Sequence, residues 1–107
     1  MTLDKINVAV VTGGGHGIGR ALCRRLAGVA ATVVVADIDA SAANTVAREI
    51  GGVARALDVS DERVVAELVD TIEDEFGSID LFISNAGVGF GDGESGAISA
   101  EGGMNPI

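Results

Sequence analysis

The stretch "VVTGGGHGIGRAL", residues 10 to 22, places five glycines within seven positions. Glycine loses more backbone freedom on folding than any other residue, so this density between two well-formed elements demands a use. A loop that joins a strand to the start of a helix can gather backbone N–H groups at one point. The helix dipole adds partial positive charge there, and together they can receive a diphosphate. Glycine allows the sharp turn and lets a phosphate approach with no Cβ in the way, and the last glycine allows close packing of helix and strand. An acidic residue, Asp37, closes the next apolar run eighteen positions after Gly19. A carboxylate so placed accepts hydrogen bonds from the adenosine ribose of a dinucleotide. The competing assignment is a structural turn with Asp37 capping the second helix. The strand before the glycines and the helix after them favour the nucleotide site.

Two other reactive side chains carry less. His16 is the single histidine, and no second metal ligand accompanies it at a binding spacing. An exposed loop side chain is expected there, and no metal site. Cys23 is the single cysteine, which excludes an internal disulfide and suits a reducing compartment. With no base beside it in the sequence, Cys23 reads as a half-buried structural thiol on a helix.

The elements that must hold these residues follow in order. "INVAVV", residues 6 to 11, is a β-branched apolar run suited to a strand buried on both faces. Ile18, Ala21, Leu22, Leu26 and Val29 recur at helical spacing, ending near Gly28. "TVVVA", residues 32 to 36, is a second buried strand. Ala43, Val46, Ala47 and Ile50 form a second helical stripe, stopped by Gly51 and Gly52. "VARALDV", residues 53 to 59, reads as a third strand, and Ser60 as the N-cap of a third helix. Val64, Val65, Leu68, Ile72 and Phe76 face its core, while Glu67, Asp70, Glu73, Asp74 and Glu75 make a solvated acidic face. "IDLFISNAG", residues 79 to 87, is a fourth strand running into a tight turn. Regular alternation of strand and helix predicts an α/β fold with a parallel sheet and helices on both faces.

Composition narrows the functions. At 107 residues with 48% hydrophobic content the chain supports at most one domain with one modest core. The net charge of −9 opposes binding to nucleic acid or to an anionic membrane surface. Neither a signal-peptide pattern nor a run of about 18 apolar residues is present, so a soluble, cytoplasmic location is expected.

The spacing Thr12-Gly13-x-x-x-Gly17-x-Gly19, followed by Asp58-Val59 and Asn85-Ala86-Gly87, resembles the short-chain dehydrogenase/reductase family over residues 6 to 87. That resemblance implies a Rossmann-like sheet of about four strands in the order 3-2-1-4, an incomplete doubly wound domain. It also implies a role for each matching position. Gly13, Gly17, Ile18 and Gly19 line the pyrophosphate; Asp37 binds the ribose hydroxyls and Ile38 packs near the adenine. Asp58 bonds the adenine amino group with Val59 beside it. Asn85 braces the fourth strand (or simply forms a turn), and Ala86 and Gly87 back the adenosine ribose. The carboxylate of Asp37 repels a 2′-phosphate, and neither position 16 nor position 38 supplies an arginine, so NAD is expected over NADP.

The family's chemistry implies a tyrosine acid/base, a lysine four residues later and a serine that holds the substrate oxygen. This sequence contains no tyrosine, and its one lysine is Lys5, so no catalytic residue is assigned. Residues 88 to 107 are Gly-rich and aperiodic, which fits the start of a missing C-terminal half rather than a closed domain. "LFIS" would form an uncovered apolar edge, a second sign that a longer chain is expected. Residues 1–87 are then the dinucleotide-binding portion of an NAD-dependent alcohol/carbonyl oxidoreductase, homo-oligomeric when intact. The alternatives are a non-catalytic dinucleotide-binding module and a truncated oligomerising fragment.

Overall fold

A computed structural model describes residues 6–85. Strands β1 (Ile6–Thr12), β2 (Ala30–Asp37), β3 (Val53–Ala56) and β4 (Ile79–Ser84) alternate with helices α1 (Gly17–Leu26), α2 (Ala40–Ile50) and α3 (Glu62–Phe76). All pairings are parallel, and the strands lie in the order β3-β2-β1-β4, as the resemblance implies. Parallel neighbours need long crossovers, which the three helices supply.

The two central strands explain why their sequences read as continuous apolar runs. Val8 and Val10 of β1, with Val34 and Ala36 of β2, pack beside Leu57 against Leu68 and Ile72 of α3. The alternate residues Val11, Val33 and Val35 pack on the opposite face against Cys23 of α1 and Ala43, Val46 and Ala47 of α2. Both strand faces are covered, so the period-2 signal disappears from the sequence. β4 pairs with β1, and no second partner strand stands beside it among the described residues.

Several boundaries differ from the sequence reading. β3 ends at Ala56, four residues being enough before Asp58 draws the chain into a turn by accepting from Ser60 N at 3.0 Å and Ser60 Oγ at 2.7 Å. That turn occupies Ser60, and Asp61 caps α3 instead, accepting from Arg63 N and Val64 N. A carboxylate at the positive end of a helix is favoured over a hydroxyl by charge. Ile18, Ala21 and Val64 are exposed, not core. The buried face of α1 runs instead through Gly19 and Cys23. Gly51 ends α2 as expected, in the left-handed region at φ 70°. Ala86, Gly87 and the segment 88–107 lie outside the described residues.

Cys23 is fully buried, beyond the half-burial expected of it, and burial pushes its thiol up to about 11. A thiol so raised stays protonated and unreactive through neutral pH. Alkylation with iodoacetamide at pH 8 is expected to be slow in the folded protein and fast in denaturant, as measured by mass spectrometry; equal rates would place Cys23 at the surface.

Candidate functional site

One end of the sheet gathers the sequence-identified residues. β1, β2 and β3 all run into loops there, and at this end of an open parallel sheet ligands are received. A cleft of about 600 Å³ is lined by Gly13, Gly17, Ile18, Asp37, Ile38, Asp58, Val59 and Asn85, together with His16, Leu57 and Ser60. Of the residues assigned from the sequence, Gly19 is buried and does not line the cleft, and Ala86 and Gly87 fall outside the described residues. The other eight come together.

The glycines divide the work unequally. Gly13 and Gly17 have φ values of 69° and 53°, the left-handed region that favours glycine. A Cβ at Gly17 would meet nothing within 4 Å, so its absence leaves open space at the cleft. A Cβ at Gly19 would collide with the Gly13 carbonyl and stand 2.8 Å from Asn85 Nδ2. The last glycine therefore seats the helix start on the loop's own first turn and on Asn85, rather than on a strand. Gly14, absent from the sequence assignments, makes the contact between α1 and β2: a Cβ there would lie 2.9 Å from Val35 Cγ1 and 3.0 Å from Cys23 Sγ.

Two loop amides are already used. Gly14 N donates to Ala36 O at 3.0 Å, and Gly15 N donates to Asp37 Oδ2 at 3.0 Å. The N–H groups of Gly17, Ile18 and Gly19 open α1 and lack intrahelical acceptors, as the first turn of any helix must. They are the donors suited to an anion.

Asp37 is buried, at 7% exposure, and its Oδ1 accepts from Asp39 N at 2.9 Å. Each carboxylate oxygen keeps a lone pair for a further donor. Asp37 does not cap α2. That role belongs to Asp39, which accepts from Ala42 N at 3.1 Å. Asp39 also meets His16 Nε2 at 3.2 Å; His16 is the exposed loop side chain expected of it, and it is paired as well. The Ala42 amide first, and then His16, hold the Asp39 carboxyl below its ordinary range. Asp58 is likewise lowered, by the Ser60 hydroxyl and then the Ser60 amide, and is an ionised acceptor at neutral pH.

Asn85 is anchored twice to the end of β1: its N donates to Thr12 Oγ1 at 2.9 Å, and its Nδ2 lies 3.4 Å from Gly13 O. Thr12 Oγ1 also donates to Ile83 O at 3.4 Å. These bonds tie the residue that follows β4 to the end of β1. Thr12 stands in the sequence motif without its partners, and Asp39 was missed, Asp37 having been weighed as the cap of α2.

The family model for short chain dehydrogenases matches residues 7–101. The chain belongs to the short-chain dehydrogenase family. Its relatives include 3-hydroxyacyl-CoA dehydrogenase type-2 of Drosophila melanogaster, 43% identical over 75% of this chain and 32% of that protein. Galactitol 2-dehydrogenase of Agrobacterium fabrum is 40% identical over 76% of this chain and 32% of that protein. Among solved structures, 3-ketoacyl-(acyl-carrier-protein) reductase from Brucella melitensis, complexed with NADH, superposes with a TM-score of 0.69 at 38% identity, covering 76% of this chain and 34% of that one. The chain thus spans about a third of the length of the relatives it matches. No helix among the described residues is long and apolar enough to cross a membrane.

Proposed function

We propose that this chain is the NAD-binding portion of a short-chain oxidoreductase that interconverts an alcohol and a carbonyl. The observation that carries the proposal is the composition of the cleft wall. Ile18 and Ile38, at 73% and 72% exposure, are the most exposed large aliphatic side chains described, and both border the cleft that Asp37 lines. Solvated isoleucines beside a buried carboxylate and a helix start fit a ligand with a flat apolar base, a ribose and an anionic bridge. The amides of Gly17, Ile18 and Gly19 receive the diphosphate, with Gly13 leaving it room. Asp37 accepts from the ribose hydroxyls, Ile38 covers the adenine, and Asp58 accepts from its amino group with Val59 alongside. Asn85 fixes the end of β4, and Ala86 and Gly87 back the ribose. The dinucleotide, when bound, supplies the hydride acceptor or donor.

The acid/base tyrosine and its lysine come from the two-thirds of the relatives' length that this chain does not span, as does most of the substrate pocket. The 107 residues bind without turnover; the intact enzyme is a homo-oligomer of the cytoplasm. A second reading, a binding module without chemistry, is favoured by the sequence's lack of tyrosine. A Tyr-x-x-x-Lys beyond Ile107 in the gene decides between them.

Cofactor choice is tested by calorimetry. NAD is expected to bind at least about tenfold more tightly than NADP, since a 2′-phosphate would sit against the Asp37 carboxylate. Comparable affinities would contradict the assignment, and no heat with either would remove the site.

A further inference from the structure

Five glycines leave a loop with many conformations, and two of its residues sit in the left-handed region. Something must select the one conformation that presents the helix amides. The β2–α2 turn does so through a closed circuit of hydrogen bonds. Gly15 N donates to Asp37 Oδ2 at 3.0 Å; Asp39 N donates to Asp37 Oδ1 at 2.9 Å; His16 Nε2 meets Asp39 Oδ2 at 3.2 Å, returning to the residue after Gly15. Gly14 N adds a fourth tether at Ala36 O, 3.0 Å away. Gly15 fits only because it has no side chain: a Cβ would stand 2.7 Å from Ala42 Cβ and 3.0 Å from Asp37 Oδ2. Two adjacent loop residues are thus clamped to two aspartates of one turn.

We propose that Asp37 and the His16–Asp39 pair are positioning residues for the phosphate cradle, so that the ribose-reading turn and the anion-receiving loop form one unit. This rests on the proposed dinucleotide site and extends it. A carboxylate that only read the ribose would leave phosphate binding untouched when altered. Here the same carboxylate holds the Gly15 amide in a buried, charge-assisted bond, so altering it releases the loop. The His16–Asp39 pair is exposed and screened, and acts as the weaker, outer closure of the circuit. Order that exists before binding lowers the cost of binding.

The test uses two half-ligands, inorganic pyrophosphate and adenosine, titrated by calorimetry into the 107-residue chain. Asp37→Asn offers one acceptor oxygen to two N–H donors. It is expected to weaken pyrophosphate roughly five- to tenfold, besides weakening adenosine. Loss of adenosine alone would overturn the proposal and leave the dinucleotide site standing. Wild type that binds neither half-ligand would sink both. A double-mutant cycle supplies the second measurement, and decides alone if Asp37→Asn does not fold. Asp39→Ser keeps a cap for Ala42 N but cannot reach His16. His16→Ala and Asp39→Ser are each expected to weaken pyrophosphate about twofold, and their combination no further than either alone. Additive losses, or no loss in any of the three, would overturn the clamp.

Discussion

Gly19→Ala is expected to abolish dinucleotide binding and to destabilise the fold. The added Cβ has nowhere to go: the Gly13 carbonyl blocks it on one side and the Asn85 amide on the other. The Gly13 carbonyl is loop backbone and cannot swing aside, and the Asn85 side-chain amide is itself bonded to that carbonyl at 3.4 Å. Overpacking of this kind costs about 1–3 kcal/mol, and more where backbone must yield. The shift moves the first turn of α1, so the amides of Gly17, Ile18 and Gly19 lose their common focus. NAD affinity is expected to fall by at least about 100-fold, equivalent to roughly 2.7 kcal/mol. Gly17→Ala is the informative contrast. Its Cβ meets no protein atom, so the fold bears only the left-handed backbone penalty of about 1–2 kcal/mol, while the methyl enters the open space of the cleft and weakens NAD there. Calorimetric titration with NAD and thermal melts of both variants check the pair. Wild-type binding by Gly19→Ala would show that the helix start does not receive the ligand.

The second large effect lies away from the cleft. Ile72→Ala is expected to cost about 2–5 kcal/mol. Ile72 is fully buried and, with Leu68, forms the buried part of α3 against β1 and β2. The aromatic-poor core offers little to fill the space, with three Phe and no Trp or Tyr in the chain. A domain this small has a total stability of about 5–15 kcal/mol, so such a loss approaches unfolding. The midpoint of thermal unfolding should drop by roughly 8–40 °C, following about 4–8 °C per kcal/mol for domains near this size. A drop of a degree or two would mean that α3 is loosely docked, and that the sheet face opposite α1 and α2 carries little of the stability.

The difference between these two variants reflects what was legible beforehand. Ile72 belongs to a stripe at helical spacing, and Leu68 and Ile72 are buried where that stripe places them. Val64, in the same stripe, is exposed, while Val65 beside it packs against the core. Periodicity names a face but not its edges. Ile18 shows the same limit with a functional consequence. By spacing it extends the α1 core, yet it stands in solvent at the cleft. Asp37 was legible as a carboxylate at a strand end. Its two backbone partners were not, because Gly15 is 22 residues away in sequence and meets it only across the β1–β2 pairing.

The sequence by itself determined the alternation of strand and helix, the parallel order β3-β2-β1-β4 through the family motifs, and eight of the residues that line the cleft at one end of the sheet. Apolar runs, glycine density and capping chemistry act over a few neighbours, so they survive in a linear string. Only the tertiary structure decided the division of labour among the glycines, the capping of α2 by Asp39, the complete burial of Cys23 and the circuit through Gly15, Asp37, Asp39 and His16. Apart from the Asp39 cap, which is a local choice within one turn, these depend on which atoms face one another across the crossovers between strands, a proximity that sequence separation does not encode.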